Sequence, residues 1–100
     1  MSTSRIEGPP TVFARNVQVT GGRLVVDLDD GRTLSVPLSW YPRLAHASAS
    51  ERSHWELIGR GLGIHWPDLD EDLSVDGLLA GVRSGESESS LKRWLASRGG

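Results

Sequence analysis

The sequence predicts an α+β domain: an antiparallel sheet made of a three-stranded meander plus a second hairpin, packed with two short helices and a C-terminal amphipathic helix. Three observations predict it. Apolar and polar residues alternate through Val12–Thr20 and Arg23–Leu28 on either side of a Gly-Gly pair. The stretch "HWELIGRGLGIHW" matches apolar residues across a central turn. Helix start and stop residues then flank "YPRL" and "VDGLLA", and a Leu-Trp-Leu stripe closes the chain.

The first two strands are set by register. With Gly21-Gly22 as the loop, Val19 falls opposite Leu24 and Val17 opposite Val26. The next turn, "DLDDGRTL", is decided by the same arithmetic. A two-residue Asp30-Gly31 loop puts Leu28 opposite Thr33 and mixes the faces. The three-residue loop Asp29-Asp30-Gly31 puts Val26 opposite Leu34 and Leu24 opposite Val36, a type I turn closed by a left-handed glycine. The inner face is then Val17, Val19, Leu24, Val26, Leu34, Val36 and Leu38, and the aspartates are turn formers.

"SWYPRLAHASAS" reads as a helix with Ser39 as N-cap and Pro42 in its first turn. Trp40, Leu44 and Ala47 are spaced to cover the sheet, and "ASASER" is the way out. In the second hairpin an Arg60-Gly61 loop pairs Leu57 with Ile64 and Trp55 with Trp66, leaving Glu56 and His65 on the solvent side. The spacing Gly59-x-Gly61-x-Gly63 lacks the third glycine of a dinucleotide loop, and no long helix follows directly. These glycines serve a tight hairpin.

Four acids crowd into residues 68–72. In a calcium-loop register the sixth position is Leu73 where glycine is required, and the twelfth is Leu79 where a bidentate glutamate is required. A helix approach accounts for more of the residues. Trp66-Pro67 ends the strand, Asp68–Asp72 spans the connection, and Leu69 and Leu73 tuck beneath it. Ser74 is the N-cap, Asp76 the acid of the first turn and Gly81 the residue past the end, with Val75, Leu78 and Leu79 as the buried stripe.

Residues 1–10 read as a flexible arm, 11–82 as one α+β domain, and 83–100 as a polar linker with an amphipathic helix. Leu91, Trp94, Leu95 and Arg98 are the partner-binding candidates of that helix, which either docks on its own domain or detaches to a partner or a second copy. The composition narrows the function. There is no cysteine, which removes disulfides and thiolate chemistry. Net charge is −2 and the basic residues are scattered, so nucleic-acid binding by this domain alone is disfavoured. No window approaches about 18 consecutive apolar residues, and "MSTSRIEGPP" has no apolar core of a leader. The expectation is a cytoplasmic protein with no membrane partner. His46, His54 and His65 fall in no metal-binding spacing and no serine sits in GxSxG. No catalytic residue, cofactor or metal site is predicted.

"DLDDG" before "RTLSVPL", then "YPRLAHAS", and above all "IHWPDLDEDLSVDGLLAG" together resemble the bacterial domain-of-unknown-function family 2442, over roughly Arg15 to Val82. Pro42 and Leu44 match that family's helix start. Trp66, Pro67, Leu69, Asp70, Glu71, Asp72, Leu78, Leu79 and Gly81 match its C-terminal signature. The resemblance implies a small α+β domain with an antiparallel sheet, similar to the N-terminal part of longer relatives that continue into a helix-turn-helix module. It also implies a gene neighbour encoding a small protein, in a toxin–antitoxin-like pair, and no established activity. Only 18 residues follow Val82 here, too few for such a module. The leading expectation is therefore a non-enzymatic protein-interaction domain, an antitoxin-like partner of a small protein. The alternatives are a small-ligand or nucleotide-binding module at the Gly59–Gly63 hairpin and a DNA-binding homodimer.

Overall fold

The computed structural model describes residues 11–98. The predicted arm, 1–10, lies outside the described residues. Strands β1 (Ala14–Thr20), β2 (Arg23–Leu28) and β3 (Thr33–Pro37) form one antiparallel meander. Its pairs are those required by the apolar faces: Val19 with Leu24, Val17 with Val26, Val26 with Leu34 and Leu24 with Val36. Gly31 closes the second turn at φ 95°, a conformation that glycine adopts without a Cβ penalty. The turn aspartates are occupied locally. Asp29 accepts from the Phe13 amide at 3.1 Å and Asp30 from that of Arg32 at 3.0 Å.

β1 departs from simple alternation at its start. A bulge between Ala14 and Asn16 makes Arg15 the extra residue, which turns Ala14 inward beside Val17. The predicted strand start at Val12 is thereby shortened to Ala14.

After β3 a 3-10 turn, Leu38–Trp40, precedes α1 (Pro42–Ala45). Ser39 is not the cap expected for this helix. The residue before proline is pushed out of the helical region, so the helix restarts at Pro42, with Tyr41 at φ −127°, ψ 88° as its N-cap. The segment read as an exit is a helix of its own, α2 (Ala49–Ser53). Ser48 and Glu51 form a reciprocal capping box at its start.

The expected second hairpin is a second three-stranded sheet: β4 (Glu56–Ile58), β5 (Gly63–Trp66) and β6 (Glu71–Ser74). Leu57 pairs with Ile64 and Glu56 with His65 as predicted, but the turn is four residues long, 59–62, and contains a 3-10 turn. β6 takes the place of the irregular connection expected over 68–72. It pairs Trp66 with Glu71 and Ile64 with Leu73, so the apolar row Leu57–Ile64–Leu73 crosses all three strands. Helix α3 (Val75–Ala80) begins at Ser74, whose Oγ accepts from the Gly77 amide, and ends at Gly81 in the left-handed region. Val75 and Leu78 are buried, whereas Leu79 is 39% exposed and outside the stripe expected for it.

One core joins the two sheets. Trp66, Tyr41, Leu24, Leu44, Ile64, Leu69, Val26 and Val75 are its fully buried side chains. Each is worth about 1.5–3 kcal/mol of transfer free energy, so this cluster carries the fold. Its polar atoms are satisfied. Trp66 Nε1 donates to the Arg52 carbonyl at 3.1 Å, and the Tyr41 hydroxyl donates to the Val82 carbonyl at 2.9 Å. No helix among the described residues is long and apolar enough to cross a membrane.

Candidate functional site

The acids of residues 68–72 do not converge. Asp68 accepts from His54 Nδ1 at 2.7 Å, Asp72 accepts from His65 Nδ1, and Asp70 sits in the β5–β6 turn at φ 52°. No hydroxyl bonds the second ring nitrogen of either histidine among the described residues. No group of three or more potential metal ligands assembles among the described residues either.

Glu71 is the exception. The register of β6 turns it to the inner face, opposite Trp66, while Asp72 points outward with His65. Side-chain alternation thus drives a carboxyl toward the core. Burial raises it to about 7, with the charges of Glu86, Asp72 and Asp70 adding to the effect and Arg43 opposing it. Among the described residues its side chain makes no hydrogen bond. The cation that faces it is already committed. Arg43 donates from Nε and Nη2 to Glu86, the latter bond 2.7 Å long, and from Nη1 to the Leu69 carbonyl at 3.0 Å. That pairing holds the Glu86 carboxyl below its usual range and raises the Arg43 guanidinium.

Glu71 opens onto a groove of about 320 Å³. All four residues of β6 line one side, Val82–Gly85 lines the other, and Tyr41 and Leu78 contribute to its walls. Burial, followed by the nearby Glu71 charge, raises the Tyr41 hydroxyl. The far wall is held in place by two backbone bonds, Val82 amide to Gly77 carbonyl and Ser84 amide to Trp40 carbonyl.

Helix α4 (Glu88–Arg98) follows this wall in the chain, and none of its residues is fully buried. Of the partner-binding candidates, Trp94 packs against the core margin with the Arg43 and Arg98 guanidiniums 5.1 and 4.4 Å from its ring centroid. Arg98 donates to both carboxylate oxygens of Glu51, while Leu91 and Leu95 are half-buried. Of the signature residues, Trp66, Leu69 and Leu78 are core, Pro67 and Asp70 form the turn, and Gly81 caps α3.

Residues 14–84 match a family described as "Protein of unknown function (DUF2442)". The chain belongs to this family. A DUF2442 fold over this span agrees with the solved structures it resembles. A protein of unknown function from Rhodospirillum rubrum is 32% identical, with a TM-score of 0.64, and the match covers 80% of this chain and 96% of that one. An uncharacterized protein from Chromobacterium violaceum is 28% identical with a TM-score of 0.63, covering 86% and 75%. No curated protein matches the chain.

Within this DUF2442 domain the glycine hairpin forms a joint with β1. A Cβ on Gly61 would meet the Ala14 carbonyl oxygen at 2.5 Å, and its φ is 108°, so β1 and the β4–β5 turn touch backbone to backbone there. Sequence reasoning placed Glu71 in the connection and the family signature and missed that its side chain faces inward. Its parity with Leu73 was the available signal.

Proposed function

We propose that the chain is a bacterial, cytoplasmic, non-enzymatic protein-interaction domain, an antitoxin-like partner of a small protein, and that its docking surface is the groove beside β6. The observation that supports this reading is Glu71: an inward carboxyl without a hydrogen-bond partner among the described residues, in an open groove, whose neighbouring cation is held by Glu86. A side chain placed this way gains from a donor brought by another molecule. The gene arrangement implied for the family supplies the partner to test. Co-expression with the small protein encoded beside it should yield a complex that survives size-exclusion chromatography, and Glu71→Arg should break it. Two separate peaks for the unaltered pair would end this reading.

A further inference from the structure

We infer that the free edge of β6 receives an extended, basic segment of a partner protein as an added strand, with a lysine or arginine side chain placed at Glu71. The inference rests on the interaction reading above and specifies its partner. Three features carry it.

The first is the edge. In the order β4-β5-β6, the last strand pairs with β5 alone among the described residues, so alternate amides and carbonyls of Glu71–Ser74 point away from the sheet. Among the described residues, no backbone bond outside the sheet engages Glu71, Asp72 or Leu73. The second is the room beside it. The groove runs along all four residues of the strand and is bounded on the far side by Val82–Gly85 rather than by another strand. An extended chain laid there finds main-chain partners on one side and Tyr41 and Leu78 as an apolar floor.

The third is charge, which selects the occupant. Glu86, Glu71 and Asp70 surround Arg43, which Glu86 holds, while Arg83 stacks on the Trp40 ring at 4.6 Å and Asp72 pairs with His65 on the other face. Among the described residues, Asp70 and Glu71 are the acids here without an ion-pair partner, so the charge open to an occupant at this end of the strand is negative. A second copy pairing edge to edge would bring the same acids onto these, so a basic strand from another protein fits and self-pairing does not.

The test uses the full chain and a peptide of alternating lysine and valine, with an alternating glutamate–valine peptide as control. The lysine peptide should bind and slow amide hydrogen exchange at the outward positions of Glu71–Ser74 by at least about tenfold. The control should do neither. Glu71→Gln and, separately, Asp70→Asn should each weaken binding by about two- to tenfold. No binding, or binding without protection of β6, overturns the inference. Protection of β6 in the chain alone, with a doubled mass, also overturns it by assigning the edge to a second copy. If the gene neighbour forms its complex without protecting β6, the interaction domain stands and the added strand falls. If neither the neighbour nor the peptide binds, both fall.

Discussion

Trp66 and Glu71 stand directly opposite each other across β5 and β6, on the same inward face. Trp66 is fully buried with its indole donor satisfied, whereas Glu71 is half-buried with its carboxyl raised to about 7. In the unfolded chain that carboxyl titrates near its ordinary value of 4.5. Between the two values the folded protein holds a proton that the unfolded chain has lost. Stability therefore falls as pH rises through this window and levels off above about 7. The loss should be about 2 kcal/mol once the solvent reaching the carboxyl is allowed for. Urea unfolding at the two ends of the window should show the decline in the unaltered protein and its absence in Glu71→Gln.

Glu51 works in the opposite direction. The bonds donated by Arg98, then the Ser48 amide, hold its carboxyl down to about 2. Its contribution is present above pH 4.5 and is lost as pH falls toward 2. Arg98→Ala should lower stability at neutral pH, leave it nearly unchanged near pH 2 and so flatten the acid-side decline, as thermal melts across that range would show.

Substitutions in the inner row separate core from surface. Trp66→Ala should cost about 3–5 kcal/mol and Leu78→Ala about 2–5. Asp70→Asn should stay within about 0.5 kcal/mol, since asparagine tolerates the left-handed turn as aspartate does. Denaturant midpoints would rank the three.

Arg43 ties three parts of the chain together through Glu86, the Leu69 carbonyl and the Trp94 ring. Arg43→Ala should lower stability by about 1–3 kcal/mol. A version ending at Arg83 should remain monomeric by light scattering and melt lower, each kcal/mol reading as roughly 4–8 °C. A fall from a multiple to a monomer would instead make the Leu91–Trp94–Leu95 stripe an assembly surface.

Where apolar periodicity and turn chemistry agree, the sequence was enough. The pairs Val19–Leu24 and Val26–Leu34 follow from loop length and matched apolar faces, and Leu57–Ile64 follows from the apolar match although its turn is longer than the expected two residues. Residues 71–74 carry one apolar side chain, so β6 is a strand only because Trp66 and Ile64 offer partners, and such tertiary context cannot be read locally. Ser39 was overridden by the steric demand of Pro42. The capping box of α2 was legible as Ser-x-x-Glu but was outweighed by the weak apolar content of the segment around it. Glu71 stayed hidden because three neighbouring acids share its chemistry and differ only in the side of the strand they face.

The contact between Gly61 and Ala14 has a consequence for the order of assembly. Each sheet is a meander whose pairings close short loops, so each forms from local contacts at small entropic cost. Gly61 against Ala14 spans 47 positions by their residue numbers, and it belongs to the step in which two preformed meanders meet. Gly61→Ala strains the joint by about 2 kcal/mol or more. That loss should appear in stopped-flow traces as faster unfolding at an almost unchanged folding rate.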